Sequence, residues 1–212
     1  FLDKDAGGYF WSIDAQGKPL DMRKQIYGQA FAIYAMAEYY RATGFRPALD
    51  RAIEVYKLIE KFSRDAQFGG YLEVFSRDWT RPEGVKLNVM GPQLPKSQNT
   101  HLHLMEAYTN LLRVWPDEGL RENQRQLIEV MLGKVLRRDG RHLVLFFDKD
   151  WTPRSDEVSY GHDIEASWLF TEAAEVLGNA ELLARAKTAA LKLAEDPDEF
   201  LDFDDDVPDA TR

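Results

Sequence analysis

The chain has 212 residues, of which 44% are hydrophobic, a formal net charge of −9 and no cysteine. This length allows one sizeable core, and the acidic balance argues against binding to nucleic acid, which needs a basic face. The missing cysteines exclude disulfides and thiolate metal sites and suit a reducing compartment, so we expect a cytoplasmic protein. No apolar run is long enough for a membrane-spanning helix, and no signal peptide is visible, so we expect no membrane partner.

Six segments have helical periodicity, and two kinds of helix alternate along the chain. One kind is apolar on most faces, which predicts nearly complete burial. These helices are residues 25–43, 97–114 and 161–177. The other kind is amphipathic, which predicts a half-exposed helix. These helices are residues 47–62, 120–138 and 180–195. Gly44 and Gly178 stand where helix stops belong, and Pro116 closes the third helix.

The connections between these helices repeat as well. The stretches DKDAGGYFWSI (3–13) and DAQFGGYLEVF (65–75) are similar, and RRDGRHLVLFFDKDW (137–151) is a looser third copy. Glycine followed by an aromatic or β-rich run predicts a short hairpin strand. The unit is therefore a strand, an inner helix and an outer helix, repeated about every 60 residues.

Buried helices that alternate with amphipathic ones predict two concentric layers, the arrangement of an all-α toroid. Three helix pairs cannot close such a ring, so we expect an incomplete arc over residues 1–195 with short β-hairpin strands in its connections. The uncovered apolar flank of the last inner helix predicts self-association. The acidic stretch DPDEFLDFDDD begins the remaining segment, 196–212, which we expect to be a disordered tail.

Two His-x-x-Glu sequences are the main candidates for chemistry. His103 precedes Glu106 by three residues, and His162 precedes Glu165 by the same spacing, so each pair shares one helix face. The stretches align as H-L-M-E-A and H-D-I-E-A, which predicts corresponding places in the first turns of two inner helices. His101 lies two positions before His103 and must therefore point away from any pocket that His103 faces.

Three interpretations of these pairs remain open. A histidine at a helix start tends to stay neutral because of the positive end of the helix dipole, as a general base requires. Alternatively, the histidines are structural and simply satisfied by hydrogen bonds. The pairs together also offer four metal ligands, but their spacing matches no common metal motif, and we predict no bound metal.

Several other side chains are candidates for contacts with a sugar. Asn99 offers its amide to sugar oxygens, or it caps the third helix. Tyr27 lies at a helix start, at the same end as the histidines, and is a candidate for stacking on a sugar ring, as is Trp79. For Tyr34 and Trp168, which lie within helices, we expect core packing. No glycine-rich phosphate loop is present, so no nucleotide cofactor is expected.

Two longer stretches resemble the cellobiose 2-epimerases, within the N-acylglucosamine 2-epimerase superfamily. They are KSQNTHLHLMEAYTNLLRVWPD (96–117) and SYGHDIEASWLFTEAAEVLG (159–178). The shorter stretches GGYFWSID, QIYGQAFAIYAMAEYY and GGYLEVFSRDW fit the same family, so the resemblance covers residues 1 to about 195.

The resemblance implies an (α/α)6 barrel and cofactor-independent epimerisation at C2 of the reducing-end sugar of a β-1,4-linked disaccharide. It implies that His162 is one of two acid–base histidines and that Glu165 assists ring opening and orientation. It further implies that His103 holds the O1/O2 region of the sugar and that Asn99 and Tyr27 contact the sugar.

Two parts of the family pattern have no counterpart here. The family carries an arginine in an earlier helix and a second catalytic histidine near its C-terminus. His142, in a predicted strand, does not match that histidine. The chain therefore resembles the central part of an epimerase and is predicted to be inactive alone. The alternatives are an aldose–ketose isomerase or N-acylglucosamine 2-epimerase of the same superfamily, and a non-catalytic carbohydrate-binding or dimerising fragment.

Overall fold

The computed structural model describes residues 1–81 and 94–195, which include all six predicted helices. Their bounds are Ile26–Thr43 (α1), Arg46–Phe62 (α2), Gln98–Val114 (α3), Glu118–Val130 (α4), Tyr160–Leu177 (α5) and Ala180–Ala194 (α6). The predicted acidic tail lies outside the described residues. None of the helices in the described part is long and apolar enough to cross a membrane.

The predicted helix ends are confirmed in most places. Gly44 and Gly178 end α1 and α5 in the left-handed conformation, with φ of 70° and 75°. This conformation is unfavourable for any residue that has a Cβ atom, which explains the glycine at both positions. The fourth helix differs from the prediction, because α4 passes at its end into a π-helical turn, Met131–Val135, instead of continuing as an α-helix to residue 138.

Six short strands form three antiparallel pairs in the described chain. The strands are Ser12–Ile13 (β1), Pro19–Asp21 (β2), Lys24–Gln25 (β3), Val74–Phe75 (β4), Lys96–Ser97 (β5) and Phe146–Phe147 (β6). Strand β1 pairs with β2, β3 with β4, and β5 with β6. In the last two pairs, the strand that leads into an inner helix pairs with a strand from the following repeat, which links neighbouring repeats.

The helices form two layers, as the alternating pattern predicts. Helices α1, α3 and α5 are the inner layer, in which α3 packs between the other two, and α2, α4 and α6 are the outer layer. Helix α3 is buried along almost its whole length. Helices α1 and α5 each leave one apolar flank exposed, with Phe31 and Tyr39 on α1 and Ile164 and Trp168 on α5. The expected core packing of Trp168 is therefore wrong, because 49% of this residue is exposed. Self-association through these flanks remains a prediction.

Three equivalent hairpins confirm the internal repeat. Each is closed by a single β-bridge: Leu2 to Tyr9, Arg64 to Tyr71 and Leu136 to Leu143. In every case the fourth residue of the next inner helix accepts the backbone N–H of the second bridge residue, at 2.9 Å. The three acceptors are Gln29 Oε1, His101 Nε2 and Asp163 Oδ1. Three different side chains thus tie an inner helix to its hairpin by the same hydrogen bond.

Buried ion pairs reinforce the first two repeats. Lys24 Nζ lies 2.9 Å from Asp3 Oδ2, and Lys96 Nζ lies 2.9 Å from Asp65 Oδ2, with both lysine side chains inaccessible to solvent. Such pairs hold their elements in place because breaking one would leave a buried charge without a partner. In the third repeat Arg137 occupies the place of the aspartate.

Trp79 and its equivalent Trp151 also serve the fold. The Trp79 indole N–H donates to the carbonyl of Ala6 at 3.0 Å, and the Trp151 indole N–H donates to that of Phe68 at 2.9 Å. Only 4% of Trp79 is exposed. The interpretation of Trp79 as a platform for sugar stacking is therefore wrong, since its ring is enclosed by the hairpin of the first repeat.

Candidate active site

A cluster of two histidines and two glutamates lies near the starts of α3 and α5. His103 Nδ1 lies 3.0 Å from Glu106 Oε2, which confirms that the first predicted pair shares a helix face. Only 9% of the His103 side chain and 13% of the Glu106 side chain is exposed. Glu165 joins them from α5, and one ligand atom from each of the three residues lies within 4.8 Å of the others.

The two His-x-x-Glu sequences do not occupy corresponding places, contrary to the sequence alignment. His103 is the sixth residue of α3, whereas His162 is the third residue of α5. The sixth residue of α5 is Glu165, so the glutamate of one pair corresponds to the histidine of the other. His103 thus lies in the second turn of its helix, and only His162 lies in the first turn as predicted. This shift of three residues is what brings His103 and Glu165 side by side.

His162 is held by a serine at the start of its own helix. Its Nδ1 lies 2.7 Å from the hydroxyl oxygen of Ser159, the residue that precedes α5. Burial lowers the pKa of His162, while the negative charge of Glu165 acts in the opposite direction. The net result is a lowered pKa, so the imidazole is neutral near pH 7, the state that a general base requires. Glu165, three residues after His162 on α5, lies within 4.8 Å of His103, so the two histidines lie at the same end of the arc, as predicted.

Aromatic rings form the wall beside His103. The Tyr27 ring lies edge-on to the imidazole, with centroids 5.1 Å apart and an interplanar angle of 87°. The Phe31 ring lies 4.8 Å from the same imidazole. Burial, followed by the charges of Glu165 and Glu106, raises the pKa of Tyr27. The Tyr27 hydroxyl is therefore a neutral donor and acceptor next to both carboxylates.

Asn99 is the second residue of α3, the place that Tyr27 holds in α1. Its side chain is half-buried and makes no hydrogen bond to another residue in the described ranges. The cap of α3 is instead Ser97, whose hydroxyl accepts the backbone N–H of Thr100 at 3.1 Å. The interpretation of Asn99 as a helix cap is therefore wrong.

The remaining two histidines have structural partners. His101 Nδ1 lies 2.7 Å from the carbonyl oxygen of Ser97, and its Nε2 accepts the N–H of Tyr71. Burial lowers the pKa of His101 to about 4. His142 Nδ1 lies 2.8 Å from Asp163 Oδ2. His101 and His142 thus have structural roles, and His101 points away from the pocket as its spacing predicts. For His103 and His162, the choice between a catalytic and a structural role remains a prediction.

Sequence reasoning did not identify Ser159 and Phe31 as neighbours of the site. A serine before an inner helix predicts a cap, as Ser97 is, and nothing in the sequence indicates that Ser159 binds a histidine instead. The arrangement as a whole suits proton transfer, with one neutral imidazole beside carboxylates. By distance, His103, Glu106 and Glu165 are also the residues that would hold a metal ion. The absence of a metal in the working protein remains a prediction.

The sequence of this chain is similar to one protein family and to several curated members of that family. Residues 1–201 match the sequence profile of the N-acylglucosamine 2-epimerase family. The chain is 45% identical to the cellobiose 2-epimerase of Bacteroides fragilis over 96% of its own length and 52% of the relative's. It is 40% identical to the cellobiose 2-epimerase of Dictyoglomus turgidum over 92% of its length and 50% of the relative's.

Solved structures show the same relationship in three dimensions. The cellobiose 2-epimerase of Bacillus thermoamylovorans superposes with a TM-score of 0.85 at 40% identity, covering 91% of this chain and 49% of that one. A D-mannose isomerase superposes with a TM-score of 0.72 at 22% identity, which shows a shared fold alone. The six helices are thus an arc of the (α/α)6 barrel. The chain spans about half the length of the curated relatives it matches.

Proposed function

The chain belongs to the N-acylglucosamine 2-epimerase family, and from that premise we propose that it forms the central part of an enzyme that inverts C2 of the reducing-end glucose in cellobiose- or lactose-type disaccharides. The observation that carries the proposal is the convergence of His103, Glu106 and Glu165 beside His162 at one end of the inner helices. The names of the relatives supply the substrate class.

The first step in the proposed reaction is ring opening. The Glu165 carboxylate accepts the proton of the O1 hydroxyl while the bond between C1 and the ring oxygen breaks, and it passes this proton to the ring oxygen. The product is the open-chain aldehyde. We assign the contacts with sugar hydroxyls in this step to Tyr27 and Asn99. The pKa of Tyr27 responds to the charges of Glu165 and Glu106, and Asn99, the second residue of α3, makes no side-chain hydrogen bond to another described residue.

The second step is proton removal from C2 by His162. In the tautomer that this step requires, the Nδ1–H donates to the Ser159 hydroxyl, 2.7 Å away, and the lone pair on Nε2 takes the proton. The electrons of the C2–H bond form a C1=C2 double bond, and O1 becomes the oxyanion of a cis-enediolate. His103, oriented by Glu106, binds the O1/O2 region where this charge develops.

The third step returns a proton to the opposite face of C2. The resemblance places the acid for this step on a histidine in a part of the family that this chain does not match. We therefore propose that the 212-residue chain alone gives no turnover. Activity is to be measured in the longest natural polypeptide that contains this sequence, called the parent polypeptide below.

The deciding experiment is incubation of the parent polypeptide with cellobiose in deuterated water. We expect a product with mannose at the former glucose end and deuterium at C2 of both epimers. A product with fructose at that position would instead establish an aldose–ketose isomerase. Binding of cellobiose without any product would establish a carbohydrate-binding protein. Turnover that persists after exhaustive chelation would show that the reaction needs no chelatable metal ion.

A further inference from the structure

We propose that Glu73 is a positioning residue that fixes the two sugar-contacting side chains, Tyr27 and Asn99, relative to each other. This inference rests on the proposed function. Glu73 lies directly before β4, between the starts of α1 and α3, and its side chain does not belong to the cluster around His103.

The contacts of Glu73 reach both helix starts. Its backbone carbonyl accepts the N–H of Ile26, the first residue of α1, at 2.9 Å. Its carboxylate oxygen Oε1 accepts the hydroxyls of Ser97 at 2.8 Å and Thr100 at 2.9 Å, at the start of α3. One residue thus binds α1 through its main chain and α3 through its side chain.

The carboxyl group is deeply placed. Its second oxygen, Oε2, is buried without a hydrogen-bond partner among the residues that the structure describes. Burial raises the pKa of Glu73 to about 7, although the hydroxyls of Ser97 and Thr100 act in the opposite direction. A buried carboxyl with half of its bonding capacity unused costs stability, and leucine would avoid that cost. Leucine would, however, leave the hydroxyls of Ser97 and Thr100 without this acceptor, so the glutamate fixes the start of α3 at a cost in stability.

The repeat supplies the comparison. The positions equivalent to Glu73, two residues after the second bridge residue of the hairpin, hold Trp11 in the first repeat and Leu145 in the third. The carbonyl of Leu145 accepts the N–H of Gln98, the first residue of α3, just as that of Glu73 serves α1. Only Glu73 has a carboxylate side chain that can also bind the next inner helix.

The second residues of α1 and α3 are Tyr27 and Asn99. Tyr27 follows Ile26, and Asn99 precedes Thr100, and Glu73 binds both Ile26 and Thr100. A sugar that contacts both side chains needs them at a fixed separation, and a shift of a fraction of an ångström weakens both contacts. These contacts hold substrate and transition state alike, so their loss raises KM more than it lowers kcat. His162 lies on α5 and is not bound by Glu73.

The test compares Glu73→Leu and Glu73→Gln in the parent polypeptide with cellobiose. Leucine removes the acceptor, and we expect KM to rise about 3- to 10-fold with kcat changed less than about twofold. Glutamine retains an amide oxygen that accepts both hydroxyls, so we expect KM to return to within about twofold of the wild type. Loss of folded protein alone would lower the apparent kcat and leave KM unchanged, so the two parameters separate positioning from stability.

Glu60 is the matched control. Its Oε1 likewise accepts two hydroxyls, from Tyr71 at 2.8 Å and Tyr108 at 2.6 Å, and its Oε2 is also buried without a partner in the described chain. It lies on α2, away from the helix starts. Glu60→Leu should therefore destabilise the protein and leave KM unchanged.

Thr100→Val is the second variant, because it removes one of the two hydroxyls without changing the side-chain volume and keeps the inference testable if Glu73→Leu does not fold. We expect it to raise KM in the same direction by a smaller factor. An unchanged KM in Thr100→Val and Glu73→Leu, or an equal rise in Glu60→Leu, would overturn the inference. A parent polypeptide that neither binds nor converts cellobiose would overturn the proposed function instead.

Discussion

The starts of α3 and α5 use the same positions for different purposes. Before α3, the Ser97 hydroxyl caps the helix by accepting the N–H of Thr100 and donates to Glu73. Before α5, Ser159 occupies the equivalent place, but its hydroxyl bonds the imidazole of His162, and α5 has no side-chain cap. Thr100 and His162 are each the third residue of their helix.

The difference shows that the serine before an inner helix can serve either the helix or a neighbouring side chain. At the start of α3, the serine hydroxyl caps the helix and also binds Glu73. The start of α5 gives up its cap, which is worth about 1 kcal/mol, and uses the same serine to orient a histidine. The Ser159 hydroxyl thus binds His162 instead of capping α5.

The largest expected effect is that of His162→Ala in the parent polypeptide. Loss of the general base should reduce epimerisation on the order of 10²- to 10⁴-fold. Deuterium exchange at C2, started separately from each epimer, should vanish from one epimer and persist from the other. His101→Gln serves as the matched histidine control, since His101 faces the hairpin and not the site. Wild-type exchange from both epimers in His162→Ala would show that His162 is a structural histidine.

Acid stability should depend on His101. Burial of the ring lowers its pKa in the folded chain to about 4, below the ordinary 6.5. Protonation would also put an N–H against the N–H of Tyr71, which Nε2 now accepts. Its contribution to the free energy of unfolding is therefore complete above pH 6.5 and is lost as the pH falls towards 4, by about 3 kcal/mol.

Gln29 accepts the corresponding N–H in the first repeat without titrating. We therefore expect His101→Gln to fold and to lose less stability than the wild type between pH 6.5 and 4, measured by urea denaturation. Identical acid profiles of the two proteins would contradict this account of His101.

Glu73 should give the opposite pH dependence. Its folded pKa of about 7 lies above the ordinary 4.5 because of burial. Its favourable contribution is therefore complete below pH 4.5 and is lost as the pH rises through 7, by up to about 3 kcal/mol. Relative to the wild type, Glu73→Gln should become more stable between pH 4.5 and 7.5. A difference in unfolding free energy that does not change with pH would show that Glu73 is ionised in the folded protein at all these values.

The smallest effects are expected for the two serines: one substitution should lower stability and the other should lower kcat. Ser97→Ala removes a cap and should lower the free energy of unfolding by about 1 kcal/mol. Ser159→Ala removes the hydrogen bond to His162 Nδ1 and should lower kcat several-fold, corresponding to about 1 kcal/mol. The stability of Ser159→Ala should change little. Equal losses of stability in both variants would mean that Ser159 acts as a cap after all.

The sequence predicts the layers of this fold better than the details of its site. Alternating apolar and amphipathic segments have strong helical periodicity, so all six helices are predicted within a few residues apart from the π-helical end of α4. Tyr27, Asn99, His103, His162 and Glu165 are brought to one end of the arc.

The correspondence between the two His-x-x-Glu pairs was wrong, because a three-residue shift leaves a motif on the same helix face and only the helix start reveals it. The partner of His162 could not be predicted either. Whether a serine hydroxyl turns to a backbone N–H or to a ring nitrogen depends on neighbours distant in sequence, such as Glu73.

The acceptor at the fourth position of each inner helix has a consequence for comparing sequences. Gln29, His101 and Asp163 share almost no chemistry beyond an acceptor atom at the right reach, yet each receives the same kind of N–H. A substitution table would score this position as variable and of little importance. A search for duplicated segments would more easily find the glycines of the hairpins than the bonds that hold those hairpins to the helices. In such a repeat, the shared hydrogen-bond acceptor at this position is a better sign of common ancestry than the identity of the residue.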